Sequence, residues 1–244
     1  MKKYIIIFKL NFILFAGIIM MYACNTQITD GTGINNEYVY GIDISKYQGD
    51  EIDFLNKKKD SLNFIICRAT EGMKGTDPDF RNNWNAIAEK KFIRGAYHFY
   101  YCFDDPIKQA HHFLSVADSI LPGDLAPIID FEEESIDKKQ SPAEVQADLI
   151  LCMKEIEKIT GRKVILYTNL NTSTHYLYDS FFSSRALWIA DYKSSVTPRM
   201  PPLWKNKKWI LWQKSHTYKV DANIDDFDMF NGNINDLKNF IKMN

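Results

Sequence analysis

The sequence predicts an α/β barrel of about eight strands, irregular and poor in helices toward its C-terminal end. Three observations carry this. Short apolar runs alternate with helix-like segments, which is the pattern of βαβ units around a parallel sheet. The runs number about eight, at 39–43, 63–68, 95–99, 126–131, 163–167, 186–190, 209–213 and 224–229, which suits a barrel in a domain of this size. The stretch 194–208, between the sixth and seventh runs, holds three prolines and reads as a loop where a regular barrel would place a helix.

Helical patterns occupy 77–91, 105–120 and 141–160. The last has the clearest signals. Ser141 is a good N-cap, Pro142 fits the first helical position, Glu144 completes a capping box, and Gly161 ends the helix.

The N-terminus is expected to lie outside the barrel. Lys2 and Lys3 precede a mostly apolar segment, 4–22, and then Ala23-Cys24 and a polar run, which is a signal-peptide pattern. Met21-Tyr22-Ala23-Cys24 resembles a bacterial lipobox, with Met21 in place of the usual Leu. Residues 1–23 are therefore read as a lipoprotein-type signal peptide, Cys24 as the lipidated residue, 24–37 as a flexible tether and 38–244 as one domain. Lys9 and Asn11 break the apolar segment below the ~20 residues that a membrane-spanning anchor needs.

Bulk properties narrow the function. The 244 residues are 45% hydrophobic and 25% charged, as in a folded globular protein. A net charge of -1 gives no electrostatic case for nucleic acid as a partner. Beyond Cys24, Cys67, Cys102 and Cys152 are an odd number, and they read as buried thiols, with a single disulfide pair as the alternative. Cysteine and histidine spacing gives no zinc signature, and no cofactor is expected.

The fourth strand run ends in carboxylates, APIIDFEEE over 126–134. Alternation along a strand puts Asp130 and Glu132 on one face, about 7 Å apart, and Phe131 and Glu133 on the other. The C-terminal ends of parallel strands are where an α/β barrel does its chemistry. Other strand ends are polar as well: Asp43, Ser45 and Gln48; Arg68 and Glu71; Tyr97 and His98; Tyr167 and Asn169; Asp191 and Tyr192; Trp212 and Gln213; Asp226 and Asp228. Together they describe a cleft of carboxylates and aromatic rings. That suits a sugar polymer, whose C–H faces stack on rings and whose glycosidic oxygen needs an acid.

These residues fall in blocks: GIDISKYQG (41–49), FIICRATEG (64–72), DPDF (77–80) with Asn83, RGAYHF (94–99), PIIDFE (127–132), LWIADY (187–192), Trp212-Gln213 and DFDMFNG (226–232). In this order and over essentially the whole domain, they resemble the family 25 glycoside hydrolases, the Chalaropsis-type lysozymes or N-acetylmuramidases that cut bacterial peptidoglycan. The resemblance implies a flattened, irregular TIM-like barrel. It implies cleavage of the β-1,4 bond between N-acetylmuramic acid and N-acetylglucosamine. By position it makes Glu132 the general acid and Asp130 the carboxylate that assists the substrate's acetamido group. Asp43 and Asp226 become further cleft acids. Tyr97, Tyr167 and Trp212 take cleft-lining places, and Asp191, Glu71 and Gln48 join them as substrate-binding residues. Arg68 stands where lysine is common and Asp228 where asparagine is common; Glu133 and Glu134 add charge beside the pair.

A general acid working at neutral pH needs a raised pKa, and Asp130 is the neighbour expected to raise that of Glu132. The expected partners are peptidoglycan strands and a membrane reached through the lipid anchor, with the protein a monomer in the bacterial cell envelope. The competing readings are a non-catalytic glycan-binding lipoprotein on the same fold, a hydrolase holding a hard cation on its carboxylates, and a structural envelope component.

Overall fold

The computed structural model describes residues 37–48, 61–118, 120–137, 139–220 and 223–244. The signal, lipidation and nearly all of the tether expectations, Cys24 included, fall on residues outside these. Within them, eight strands close a barrel: β1 (Val39–Ile44), β2 (Phe64–Glu71), β4 (Ile93–Phe99), β5 (Ile128–Asp130), β6 (Ile165–Asn169), β7 (Leu187–Ala190), β8 (Leu211–Val220) and β9 (Asn223–Phe230). The ring runs β1-β9-β8-β7-β6-β5-β4-β2 and shuts where β2 pairs with β1; a two-residue strand, β3 (Gly75–Thr76), hangs on β2.

Seven of the eight strands run parallel, and β9 is antiparallel to both of its neighbours. The alternating pattern points to a wholly parallel sheet, and here the chain departs from it. Val220 pairs with Asn223, so only two residues join β8 to β9. A hairpin needs no more than that, whereas a parallel partner needs a crossover of about a dozen residues. From 194 to 210 a 3-10 turn (Pro202–Trp204) stands where a regular barrel has a helix.

The parallel strands are apolar on both faces because both faces are covered. Phe64, Ile66, Ile128, Ile165, Trp188 and Leu211 fill the interior. Outside, α1 (Phe80–Glu89) packs on β2 and β4, while α2 (Pro106–Val116) packs on β2 and on α3 (Pro142–Thr160). Ser141 caps α3, accepting from the Glu144 N–H at 3.3 Å while Glu144 accepts from the Ser141 N–H at 2.8 Å. Gly161 stops the helix in the left-handed conformation, φ 68°. Three helices lie beyond those read from the sequence: α4 (Leu170–Tyr176), α5 (Ser180–Ser183) and α6 (Ile234–Met243). Cys67, Cys102 and Cys152 are buried free thiols. No described helix is long and apolar enough to cross a membrane.

Candidate active site

The C-terminal ends of the parallel strands open on a cleft of ≈390 Å³. The residues reach it by alternation. Asp130 is the last residue of β5, and Glu132 lies beyond the ladder, yet its backbone stays extended (φ -127°, ψ 173°). Both side chains therefore enter the cleft while Phe131 between them is buried elsewhere. The chain then turns sharply into a 3-10 turn, Glu133–Ser135. The Ser135 hydroxyl donates to the Glu132 carbonyl at 2.6 Å and accepts from its N–H at 3.3 Å, which fixes the backbone under Glu132.

Asp43 on β1 and Asp226 on β9 are register partners and face the same cleft. Four carboxyl groups are thus gathered in a partly dry site, and each is harder to ionise than usual. Glu132 is pushed up to about 7, first by burial and then by the Glu134 charge. Asp226 rises to about 6, again chiefly through burial. Asp130 is raised by burial, then by Glu132 and Asp43, and Arg68 works against this. Asp43 is raised by burial and then by Asp226. Glu134 in the turn is the first neighbouring charge on Glu132, and between Asp130 and Glu132 the repulsion is mutual, so ionisation of either one raises the other.

Neutral groups tie the acids together. Gln213 donates to Asp43 Oδ2 at 2.6 Å and accepts from the hydroxyls of Tyr167 at 2.7 Å and Tyr192 at 2.5 Å. The Tyr167 hydroxyl also reaches Glu132. Its single proton serves one partner at a time: given to Glu132 it favours the carboxylate, and given to Gln213 it leaves an acceptor for protonated Glu132. Tyr97 and Gln48 line the cleft as well, and Gln48 accepts from the Ser45 N–H at 2.8 Å.

Three expected substrate-binding residues do not line this cleft. Trp212 is fully buried on the opposite face of β8 from Gln213, packs on Trp209 and donates to the Asp191 carbonyl at 2.9 Å. Trp188 of β7 takes the position at the cleft, edge-on to Tyr167. The Asp191 side chain is sealed against Arg199 at 2.6 Å and Ser194 at 2.6 Å, and these bonds hold its carboxyl well below the usual range despite its desolvation. Glu71 pairs with Arg68 at 3.4 Å and Lys46 at 3.6 Å and does not line the cleft. His98, also at a strand end, points outward into the helix layer. There it bonds Thr70 at 2.7 Å and Gln109 at 3.3 Å, and burial lowers it to about 3.

The cleft also holds residues outside the expected substrate-binding set: Trp188, Tyr192, Arg68, Tyr47 and His216. For Tyr192 a signal is present in the sequence, since it follows Ala190 by two and extends the inward parity of β7. A second hollow of ≈640 Å³ shares Glu132, Tyr167 and Tyr192 with the first. Its far wall holds Asn169, Asn171, His175 and Lys193 together with the Asp191–Arg199 ion pair, so Asp191 borders this second hollow. Glu132 stands at the junction of the two. Among the described residues no group of three or more His, Cys, Asp or Glu is arranged to hold a metal ion.

Comparison with known proteins points the same way. The sequence profile of the glycosyl hydrolases family 25 matches residues 42–222. An N,O-diacetylmuramidase from Chalaropsis is 29% identical over 215 residues, covering 82% of this chain and 97% of its own. An uncharacterized Escherichia coli O6:H1 protein, YegX, is 32% identical over 210 residues, covering 83% of this chain and 73% of its own. The crystal structure of a bacterial lysozyme from Streptomyces coelicolor superposes with a TM-score of 0.77 at 25% identity, over 86% of this chain and 99% of the other.

Proposed function

The chain belongs to the family 25 glycosyl hydrolases, and from that premise we propose that Glu132 is the proton donor with which it cleaves peptidoglycan at the β-1,4 bond between N-acetylmuramic acid and N-acetylglucosamine. The protein is a glycosidase. The observation that carries the assignment is the position of Glu132. Among the described residues it is the one carboxyl group that borders both hollows, its side chain is free of an ion pair, and its pKa of about 7 leaves it half protonated at neutral pH. A glycosidic oxygen at that junction meets an acid matched to the operating pH.

Asp130 cannot complement Glu132 from the far side of the bond. The two project from one extended stretch to the same face, about 7 Å apart along the chain, whereas paired carboxylates straddle the sugar. The substrate supplies the nucleophile instead. The acetamido carbonyl oxygen attacks C1, the C1–O bond breaks, and the leaving oxygen takes the Glu132 proton. Water then opens the cyclic intermediate and returns a proton to Glu132. Asp130 steadies the acetamido N–H, and once Glu132 is protonated the charge that most opposes ionisation of Asp130 after burial is gone. Asp43 and Asp226 complete the acidic wall, with Tyr97 and Tyr167 beside them. The test is a glycan chain lacking the acetamido carbonyl. It should bind and resist cleavage, and cleavage at the normal rate would refute the substrate-assisted step.

Residues 1–23 act, in this reading, as a signal peptide, and lipidated Cys24 tethers the domain 38–244 at the cell envelope. Cys24→Ser should move the protein from the membrane to the soluble fraction; an unchanged distribution would refute the anchor.

A further inference from the structure

Beneath the cleft lies a carboxyl group that the reaction above does not use. Asp228 sits on β9, opposite Gly41 of β1 and opposite Gln213 of β8. It has no exposed surface. Oδ1 accepts from the Trp188 indole N–H at 2.8 Å, whereas Oδ2 is sealed without a donor. Asp43, two residues along β1 from Gly41, is its diagonal neighbour on the same face of the β1–β9 ladder, and each carboxyl group acts on the other. Asp43 is nearly as dry, and its Oδ2 is already taken by Gln213.

Two neighbouring carboxyl groups this deeply buried resist ionising together, and one proton between them turns repulsion into a strong hydrogen bond. The basic groups of the cleft, Arg68 and His216, lower Asp130 and Asp226 respectively. Asp226 on β9, Asp130 on β5 and Glu132 beyond it all face Asp43 with acidic groups, and Tyr97, Tyr167 and Tyr192 face it with neutral phenols. Gln213 and Trp188 complete the packing and are neutral. A proton shared with Asp43 satisfies the sealed oxygen.

We propose that Asp228 is a positioning residue that holds a proton and donates it to Asp43, so that the pair carries one negative charge and Asp43 keeps its orientation toward Gln213. Gln213 in turn orients Tyr167 and Tyr192 beside Glu132. The chain of bonds thus runs from the barrel interior to the proton donor: Trp188, Asp228, Asp43, Gln213, Tyr167. Burial and the Asp43 charge both raise the pKa of Asp228, consistent with a retained proton. The role in turnover rests on the muramidase reading; the location of the proton does not.

Two variants and a spectroscopic readout separate this from simple packing. Asp228→Asn keeps an acceptor for the Trp188 indole and supplies a permanent N–H donor toward Asp43. Asp228→Leu keeps the bulk and removes the donor. On peptidoglycan, D228N should stay within about threefold of wild type in kcat. D228L should lose on the order of 100-fold, in kcat and not in KM, as expected when a supporting contact shifts catalytic groups by about an ångström. Equal loss in both variants would overturn the proposal. The second readout is infrared spectroscopy of the resting, aspartate-labelled enzyme at pH 8.5, compared with D228N. A protonated-carboxyl band present in wild type and missing from D228N supports the shared proton. Loss of an ionised-carboxylate band instead refutes it. This comparison needs neither substrate nor D228L, so it decides the question if D228L fails to fold. A wild type that leaves peptidoglycan intact would refute the function, while the infrared bands would still locate the proton.

Discussion

Glu132 is tuned mainly by the water it lacks and only second by its neighbour Glu134. Two outcomes follow. Activity should fall on the alkaline side with an apparent pKa of about 7, the value of Glu132. Glu134→Gln removes a charge that raises Glu132, so this limb should move to lower pH by less than a unit, with the acidic plateau unchanged; the pH–rate profile reads both. The raised pKa also has a stability signature. Glu132 goes from 4.5 in the unfolded chain to about 7 in the fold. Its contribution is present below pH 4.5 and lost as pH rises through 7. Glu132→Gln should therefore match wild type in denaturant melts near pH 4. It should become more stable by up to about 3 kcal/mol above pH 7, at 1.36 kcal/mol per pKa unit. Equal melts at pH 8 would contradict the raised pKa. The placement of Asp130 and Glu132 is legible in the sequence because an apolar strand stops at a carboxylate and the parity continues. That of Trp212 is not. The runs over 187–190 and 209–213 are apolar on both faces, so alternation cannot say which tryptophan looks inward. Register does: Trp188 stands opposite Leu211 and Ala190 opposite Gln213, so Gln213 shares the cleft face with Ala190 and Trp212 lies on the other.

Helix α3 is legible almost to the residue because its ends are chemical. Ser141→Ala should cost about 1 kcal/mol through the lost cap. Gly161→Ala should cost about 1–2 kcal/mol, since the position has open space but a left-handed backbone. Thermal melts of each variant test these, and no loss in either would contradict the cap geometry. The loop after β7 depends on one carboxylate. Asp191 accepts from the backbone N–H of Lys193 and Arg199 and from the side chains of Ser194 and Arg199. Asp191→Ala should destabilise the protein by roughly 2 kcal/mol, allowing for the half-exposed Arg199. It should raise KM, because Tyr192 and Lys193 line the second hollow. An unchanged KM would refute a supporting role for this loop. The antiparallel hairpin β8–β9 is hidden for a different reason. The seventh apolar run ends at 213, and the polar residues 214–220 that continue β8 do not read as strand, so the two-residue connection to β9 is hidden.

The barrel brings together groups from the first strand to the last, Asp43 to Asp226, because β9 inserts between β8 and β1 before the ring closes on β2. That closure gives the cleft an acidic wall, while helix α4 and the loop after β7 give the adjoining hollow a neutral wall with Lys193 and the Asp191–Arg199 pair. The order of motifs along the chain foretells the barrel and its strand ends. Which polar ends meet, and which bond elsewhere as Asp191, Glu71 and His98 do, depends on partners 3 to 28 positions away whose geometry no local pattern records. The central claim is that the carboxyl at the junction cuts one particular bond. Mass spectrometry of peptidoglycan digested by the wild type and by Glu132→Gln tests it directly. The wild type should release fragments ending in reducing N-acetylmuramic acid, with release lowered at least about 1,000-fold in the variant. Reducing N-acetylglucosamine ends, anhydro ends, or equal release by the two proteins would contradict it.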